Sequence, residues 1–144
     1  MQARRQKRRC LKCYRFEPHT HFERLKGLGG RPKTIWFVDM GDLFGEWVLR
    51  ILEAARRYPG NTYMFLTKNP RRYHEFLDMF PENSLLGATI ETNRDTSNLS
   101  KAPSPVERFE AMLELNHPHK FVVVEPILDI LYTDPRVYST FPKK

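Results

Sequence analysis

The sequence predicts an α/β protein: a parallel-sheet partial (β/α) barrel of about four βα units after an irregular N-terminal segment. Three observations predict this class. Short apolar and β-branched runs recur along the chain, longer segments with helical periodicity separate them, and the repeat is roughly 30 residues. A repeat of that length fits successive right-handed βαβ crossovers, which place their strands in one parallel sheet.

The first predicted strand and helix lie in residues 34–58. Residues 34–38 (TIWFV) predict a strand that is buried on both faces. Within residues 47–58, apolar side chains recur at helical spacing with charged ones between them, which predicts an amphipathic helix. Pro59 and Gly60 break this helix, and residues 62–66 (TYMFL) predict a second buried strand.

A second helix and a third strand follow. Asn69 and Pro70 predict a helix start, because a capping side chain precedes a proline at the first helical position. Tyr73, and the apolar residues up to Phe80, give this helix its buried face. Residues 85–90 (LLGATI) then predict the third strand.

The last helix and strand complete the predicted barrel domain, residues 31–132. Ser104 and Glu107 form a capping box with a proline between them, and residues 121–124 (FVVV) predict the fourth strand. The other predicted regions are a basic tail, a Cys- and His-containing segment and a C-terminal tail: residues 1–9, 10–30 and 133–144.

The net charge of +7 is concentrated at the two ends of the sequence. The basic residues of the N-terminal tail are Arg4, Arg5, Lys7, Arg8 and Arg9, and two lysines end the chain. These seven account for the whole excess, which predicts a neutral body. Such tails are either simply solvated or make weak, salt-sensitive contacts with nucleic acid. No apolar run approaches the roughly 18 residues of a membrane span, and no signal peptide is visible, so we predict a cytoplasmic protein without membrane contact.

Polar residues follow every predicted strand. Because all βα loops of a parallel sheet open at the carboxyl ends of the strands, we expect these residues to line one substrate or cofactor pocket. The set consists of Asp39, Asp42, Thr67, Lys68, Glu91, Thr92 and Glu125. Two alternatives stay open: Asp42 is also typical of a helix cap, and Lys68 of a counter-ion that holds acids apart without a catalytic part.

Four side chains near the N-terminus have the chemistry of metal ligands. Cys10 and Cys13 are separated by two residues, the standard chelating spacing, and His19 and His21 follow as an H-x-H pair. Zinc is one candidate ion. The spacing is unusual for a zinc finger and Pro18 constrains the connection, so packing of this loop without a metal is the alternative.

Five blocks of the sequence resemble a phage- and archaea-associated family of unknown function that is related to radical S-adenosylmethionine enzymes. The blocks are VDMGDLFGEW, FLTKNPRRYHEFL, LLGATIETNRD, SKAPSPVERFEAM and KFVVVEPILD. The resemblance covers nearly the whole chain and implies a partial barrel, an iron–sulfur cluster and S-adenosylmethionine as cofactors. It also implies that the seven strand-end residues lie in family blocks.

One departure from that pattern stands out. Radical S-adenosylmethionine enzymes hold their cluster with three cysteines, and Gln6 stands where the third is expected. The resemblance therefore implies a chain truncated at both ends, inactive alone and completed by a missing segment or partner. A small metal-binding protein without catalysis and a nucleic-acid-associated module are the alternative functions. An incomplete barrel also exposes a strand edge, which predicts a homodimer or a partner chain that covers it.

Overall fold

The computed structural model describes residues 10–15, 17, 19–37, 42–94 and 101–125. The chain divides into two compact units, with the boundary between Gly30 and Arg31. We call them the first and the second unit.

The described residues of the first unit contain little regular structure and almost no core. Helix α1 is a single turn, Leu11–Tyr14, and a 3-10 helix spans Phe22–Leu28. Leu28 is the one buried side chain among the described residues of this unit. So small an apolar core cannot offset the entropy of ordering the chain, and short units of this kind usually need a covalent or metal cross-link.

The second unit contains a four-stranded sheet in which every neighbouring pair is parallel. Its strands lie in the order β1-β2-β3-β4, with the bounds Thr34–Phe37, Thr62–Thr67, Ser84–Thr89 and Lys120–Val123. The predicted α/β class is confirmed. In the part of the chain that the structure describes, the barrel is not closed, so β1 and β4 are edge strands.

The edge position of β1 corrects one prediction. This strand was expected to be buried on both faces, but Thr34 and Trp36 are exposed, and Ile35 and Phe37 are only half-buried. An edge strand has a neighbour on one side only, so its apolar composition does not ensure burial. The two central strands are buried instead, and Tyr63, Phe65, Leu86 and Ala88 form the core beneath them.

Two helices have the predicted places. Helix α2 spans Val48–Arg56 and buries Val48, Leu52 and Ala55, which recur at helical spacing. Helix α3 spans Pro105–Glu114. Its capping box is confirmed: the Glu107 amide donates to Ser104 Oγ at 3.3 Å, and the Ser104 amide donates to Glu107 Oε2 at 2.7 Å.

The helix predicted after β2 is not an α-helix. The segment forms two 3-10 helices, Pro70–Glu75 and Leu77–Met79, and the Asn69 side chain makes no capping hydrogen bond. The reason is a tertiary contact. The buried Tyr73 hydroxyl lies 3.0 Å from the Phe65 carbonyl and 2.9 Å from the Gly87 carbonyl, which ties this segment to β2 and β3. Such a contact overrides local helix propensity.

The other face of the sheet carries aromatic residues from both edge strands. Trp36 of β1 and Phe121 of β4 make an edge-to-face contact, with ring centroids 6.5 Å apart. The Phe121 ring lies over Gly87, where an added Cβ would be 2.3 Å from Phe121 Cζ. Gly87 is therefore required by the close approach of this ring.

Candidate functional site

The four predicted metal ligands of the first unit converge on one point. Their ligand atoms all lie within 4.8 Å of one another. His19 Nε2 is 3.3 Å from both Cys10 Sγ and Cys13 Sγ, and His21 Nε2 is 3.1 Å from Cys13 Sγ and 3.0 Å from His19 Nε2. We call these four residues the Cys/His cluster.

Local structure explains how the cysteines come together. Cys10 has an extended backbone at the N-cap of α1, and Cys13 lies within the helix, three residues on. The Tyr14 amide donates to the Cys10 carbonyl at 3.2 Å and closes the turn. Residues three apart on a helical turn lie on one side, so both sulfur atoms face the same point.

The two histidines are oriented by acceptors on their outer nitrogens. His19 Nδ1 lies 2.6 Å from the Glu17 carbonyl oxygen, and His21 Nδ1 lies 2.7 Å from Glu23 Oε1. A carbonyl or a carboxylate oxygen can only accept, so each Nδ1 is the donor and each Nε2 keeps its lone pair. This arrangement matches the outer hydrogen bonds that orient histidine ligands around metals.

The two thiols differ in acidity. A hydrogen bond from the Cys13 backbone, only partly opposed by desolvation, lowers the pKa of Cys10 to about 7. Burial and the neighbouring Cys10 raise the pKa of Cys13. Cys10 is therefore the more readily ionised of the two thiols, and metal binding must displace the proton of Cys13.

In the second unit, Asp42 connects the loop before α2 to the end of β2. Its carboxylate accepts hydrogen bonds from Thr67 Oγ1 at 2.9 Å, from the Lys68 amide at 2.8 Å and from the Phe44 amide at 3.0 Å. Three donors on one carboxylate fix the loop in place. This geometry favours a structural role for Asp42 in joining the loop to the end of β2. The predicted helix cap is wrong, because the N-cap of α2 is Trp47 and no side chain makes a capping hydrogen bond there.

Lys68, Glu91 and Arg108 form an ion-pair chain at the ends of β2 and β3. The Lys68 ammonium contacts Glu91 Oε1, and Arg108 Nη1 donates to Glu91 Oε2 at 2.7 Å. The side chain of Glu91 is 9% exposed and that of Arg108 is 3% exposed, whereas that of Lys68 is 41% exposed. Lys68 is therefore the member of this chain that presents donors to solvent. Together we call Asp42, Thr67, Lys68, Glu91 and Arg108 the strand-end cluster.

Burial and hydrogen bonding act in opposite directions on Glu91. Desolvation raises its pKa, but hydrogen bonds from Lys68, from its own backbone amide and from Arg108 outweigh that effect, so the pKa is lowered overall. Glu91 is thus held as a carboxylate between two cations.

The remaining predicted strand-end residues do not join this chain of contacts. Thr92 is buried, and its Oγ1 accepts a hydrogen bond from the Arg94 amide at 3.1 Å. Glu125 follows β4 and is exposed. Asp39 lies outside the described residues. The role of the seven residues as a pocket stays a prediction.

Residues 2–135 match the model of one protein family, DUF5131, which is described as a protein of unknown function. The chain belongs to the DUF5131 family. No curated protein and no solved structure matches it. The predicted membership of a family of unknown function is confirmed. The relation to radical S-adenosylmethionine enzymes and the association with phages and archaea stay predictions.

The sequence of this DUF5131 protein held a signal for Arg108 that our prediction missed. Arg108 lies on the buried side of α3, together with Pro105, Ala111 and Met112. An arginine at an apolar position of an amphipathic helix indicates a buried partner, here Glu91. Arg108 also donates to the carbonyls of Pro103, at 2.6 Å, and Thr89, at 2.7 Å.

In its described residues this DUF5131 protein has no helix whose length and apolar character would let it cross a membrane. The cytoplasmic location and the partner chain at the sheet edge stay predictions.

Proposed function

We propose that this DUF5131 protein binds one zinc ion through Cys10, Cys13, His19 and His21. The observation that carries the proposal is the convergence of four ligand atoms, all within 4.8 Å of one another. Two thiolates and two imidazoles are a ligand set that zinc takes in structural sites. The hydrogen bonds on the outer histidine nitrogens support the same conclusion.

The distances favour a single ion over a multi-iron cluster. Two ligands of one tetrahedral zinc ion lie about 3.3 to 3.8 Å apart, given bonds of about 2.0 to 2.3 Å. The sulfur–nitrogen contacts of 3.1 and 3.3 Å are close to that range. In a [4Fe–4S] cluster each thiolate binds a different iron, so the width of the cluster separates the ligands. The described residues therefore do not fit that cluster.

The site is closed, which favours a structural role. Four protein ligands fill a tetrahedral ion and leave no position for water or substrate. Because the part of the first unit that the structure describes buries only Leu28, we propose that the ion supplies the cross-link that folds this unit. The metal would fix the single turn of helix and the H-x-H segment against each other.

Elemental analysis of untagged protein tests this proposal. We expect one zinc per chain, and loss of that zinc when His19 and His21 are both replaced by alanine. The matched control is the second H-x-H pair of the chain, His117→Ala with His119→Ala, which should keep the metal. A preparation without stoichiometric zinc, or one that holds iron and sulfide with broad visible absorption, contradicts the proposal.

We further propose that the strand-end cluster contributes to a ligand pocket, with Lys68 as its contact to an anionic group. The half-exposed ammonium, held by a nearly buried Glu91, favours this. The resemblance to radical S-adenosylmethionine enzymes suggests that compound as the first ligand to examine, with catalysis depending on a cluster supplied by another segment or chain. Titration calorimetry should detect binding that Lys68→Met abolishes, and an absence of binding heat in the unaltered protein counts against the proposal.

A further inference from the structure

Positive charge is divided very unevenly between the two units. The first 30 residues contain nine lysines and arginines but two acidic residues, which gives them the whole net charge of +7. Residues 31–144 contain fifteen basic and fifteen acidic residues and are neutral. The basic character thus extends beyond the N-terminal tail into the unit that contains the Cys/His cluster.

Four of these cations belong to the described part of the first unit. They are all exposed: Lys12, Arg15, Arg24 and Lys26. The two acids of this unit already have partners, since Glu23 contacts His21 at 2.7 Å and Glu17 lies 3.6 Å from Arg15. One zinc ion with two thiolates has no net charge, so a bound metal would leave the positive excess unchanged.

Two exposed apolar side chains of α1 stand next to cations in the sequence. Leu11 is 48% exposed and Tyr14 is 39% exposed, and each precedes a basic residue in the chain. A basic surface with an exposed aromatic ring is the combination that single-stranded nucleic acids require, because phosphates bind the cations and bases stack on the ring. Two of the four described cations, Arg15 and Arg24, are arginines, whose guanidinium can contact a phosphate through two hydrogen bonds.

We propose that the first unit is a binding surface for single-stranded nucleic acid. An anionic membrane is a poorer fit, because insertion of an apolar face into the interface uses a long amphipathic helix and α1 has four residues. Reading of a duplex through its major groove also needs a longer helix than the described residues of this unit contain. The inference goes beyond the metal site, because it rests on the charge and exposure of side chains that are not metal ligands.

Fluorescence anisotropy with labelled oligouridylate and oligothymidylate, over a range of salt concentrations, tests the electrostatic part. Replacing Lys12, Arg15, Arg24 and Lys26 by glutamine should weaken binding and reduce the slope of log K against log salt by about 3, at roughly 0.7 per lost phosphate contact. The matched control removes four exposed cations from the neutral unit, Arg56, Arg57, Arg71 and Lys101. It should leave both affinity and slope unchanged.

Tyr14→Ala tests the stacking contact. We expect about tenfold weaker binding, with an unchanged salt slope, because stacking of a base on an aromatic ring is not electrostatic. Tyr58→Ala is the matched control, since Tyr58 is 38% exposed and lies in the second unit. It should bind as the unaltered protein does.

The proposal would be overturned if the protein did not bind the oligonucleotides at low salt, or if the control variants lost as much affinity as the test variants. It would also be overturned if affinity fell only when the basic residues in positions 1–9 were replaced. Binding to phosphatidylserine vesicles or polyglutamate as tight as binding to the oligonucleotides would overturn it too. The zinc content of the same samples is measured, so a failure of the nucleic-acid proposal can be distinguished from a failure of the metal-site proposal. Protein without zinc that still binds oligonucleotides contradicts only the metal site.

Discussion

Glu23 shows how one side chain outside the Cys/His cluster shapes it. Its carboxylate accepts from His21 Nδ1 at 2.7 Å, while the neighbouring histidine uses the Glu17 carbonyl at 2.6 Å. A hydrogen bond from its own backbone amide, and then that from His21, lower the pKa of Glu23, so it stays a carboxylate. One histidine therefore depends on a side chain and the other on the main chain.

This difference gives a prediction with an internal control. Glu23→Gln weakens the acceptor on His21 and should reduce zinc affinity roughly tenfold to a hundredfold. Glu17→Gln keeps the carbonyl that orients His19 and should leave affinity unchanged. Competition with a chromophoric chelator measures the zinc affinity of both variants. Equal affinities would show that Glu23 does not contribute to zinc binding.

Arg108 and Glu91 form the most buried ion pair among the described side chains. Arg108→Met should lower the free energy of unfolding by about 3 to 5 kcal/mol, because it leaves Glu91 nearly buried beside a single half-exposed lysine. Arg56→Met, at an exposed position of α2, should cost about 0.5 kcal/mol or less. Urea denaturation measures both, and a loss in Arg108→Met no larger than in the control would show that the pair is not buried in solution.

The acid dependence of stability follows from the lowered pKa of Glu91. A carboxyl group whose pKa is lower in the folded chain stabilises it above the unfolded value of about 4.3, and this contribution is lost as the pH falls through the folded pKa. Glu91→Gln should therefore lose less stability than the unaltered protein between about pH 6 and pH 3. Urea midpoints across that range measure the difference, and identical pH profiles would contradict it.

At the scale of elements, aromatic packing on the face of the sheet that carries Trp36 and Phe121 depends on one glycine. Gly87 gives the Phe121 ring room to lie against β3, and the ring in turn contacts Trp36 from the opposite edge of the sheet. The two edge strands are thus linked across the two central ones by aromatic packing.

Gly87→Ala should lower the free energy of unfolding by about 1 to 3 kcal/mol, because the new methyl group and the ring overlap. Adding Phe121→Leu should recover part of that loss. Gly60→Ala is the control, since its added Cβ would be 3.9 Å from the nearest atom, Pro32 Cγ. Thermal unfolding distinguishes these variants, and a neutral Gly87→Ala would mean that Phe121 does not occupy this place.

The elements also show which features a sequence can predict. The capping box of α3 depends on groups three residues apart, so the pattern alone predicts it. The segment after β2 begins at the predicted Pro70, but its form depends on Tyr73 reaching carbonyls eight and fourteen residues away. No local pattern contains those contacts.

The same limit applies to the strand-end cluster. Glu91 and Lys68 were predicted because polar residues follow buried strands, a rule of parallel sheets. Arg108 lies seventeen residues beyond Glu91 on a helix, and its pairing becomes visible only when α3 packs beside β3. The apolar composition of β1 likewise did not reveal that it is an edge strand.

At the scale of the whole molecule, the two units have different sources of stability. The second has a sheet with buried aromatic and aliphatic residues, whereas the first has one buried apolar residue among those described. Metal binding should therefore stabilise one unit and leave the other largely unaffected.

Removal of the metal by a chelator should expose the amides of residues 10–28 to rapid hydrogen exchange. Amides of β2 and β3 should remain protected, because their hydrogen bonds do not involve the Cys/His cluster. Mass spectrometry of exchanged fragments measures both regions in one sample. Equal deprotection of both, or none in either, contradicts a metal that folds the first unit alone.

X-ray absorption at the zinc edge of the purified, untagged protein tests the central claim most directly. The account predicts one zinc with two sulfur neighbours at about 2.3 Å and two nitrogen neighbours at about 2.0 Å. A site with only oxygen neighbours, or one with metal–metal scattering, would contradict it.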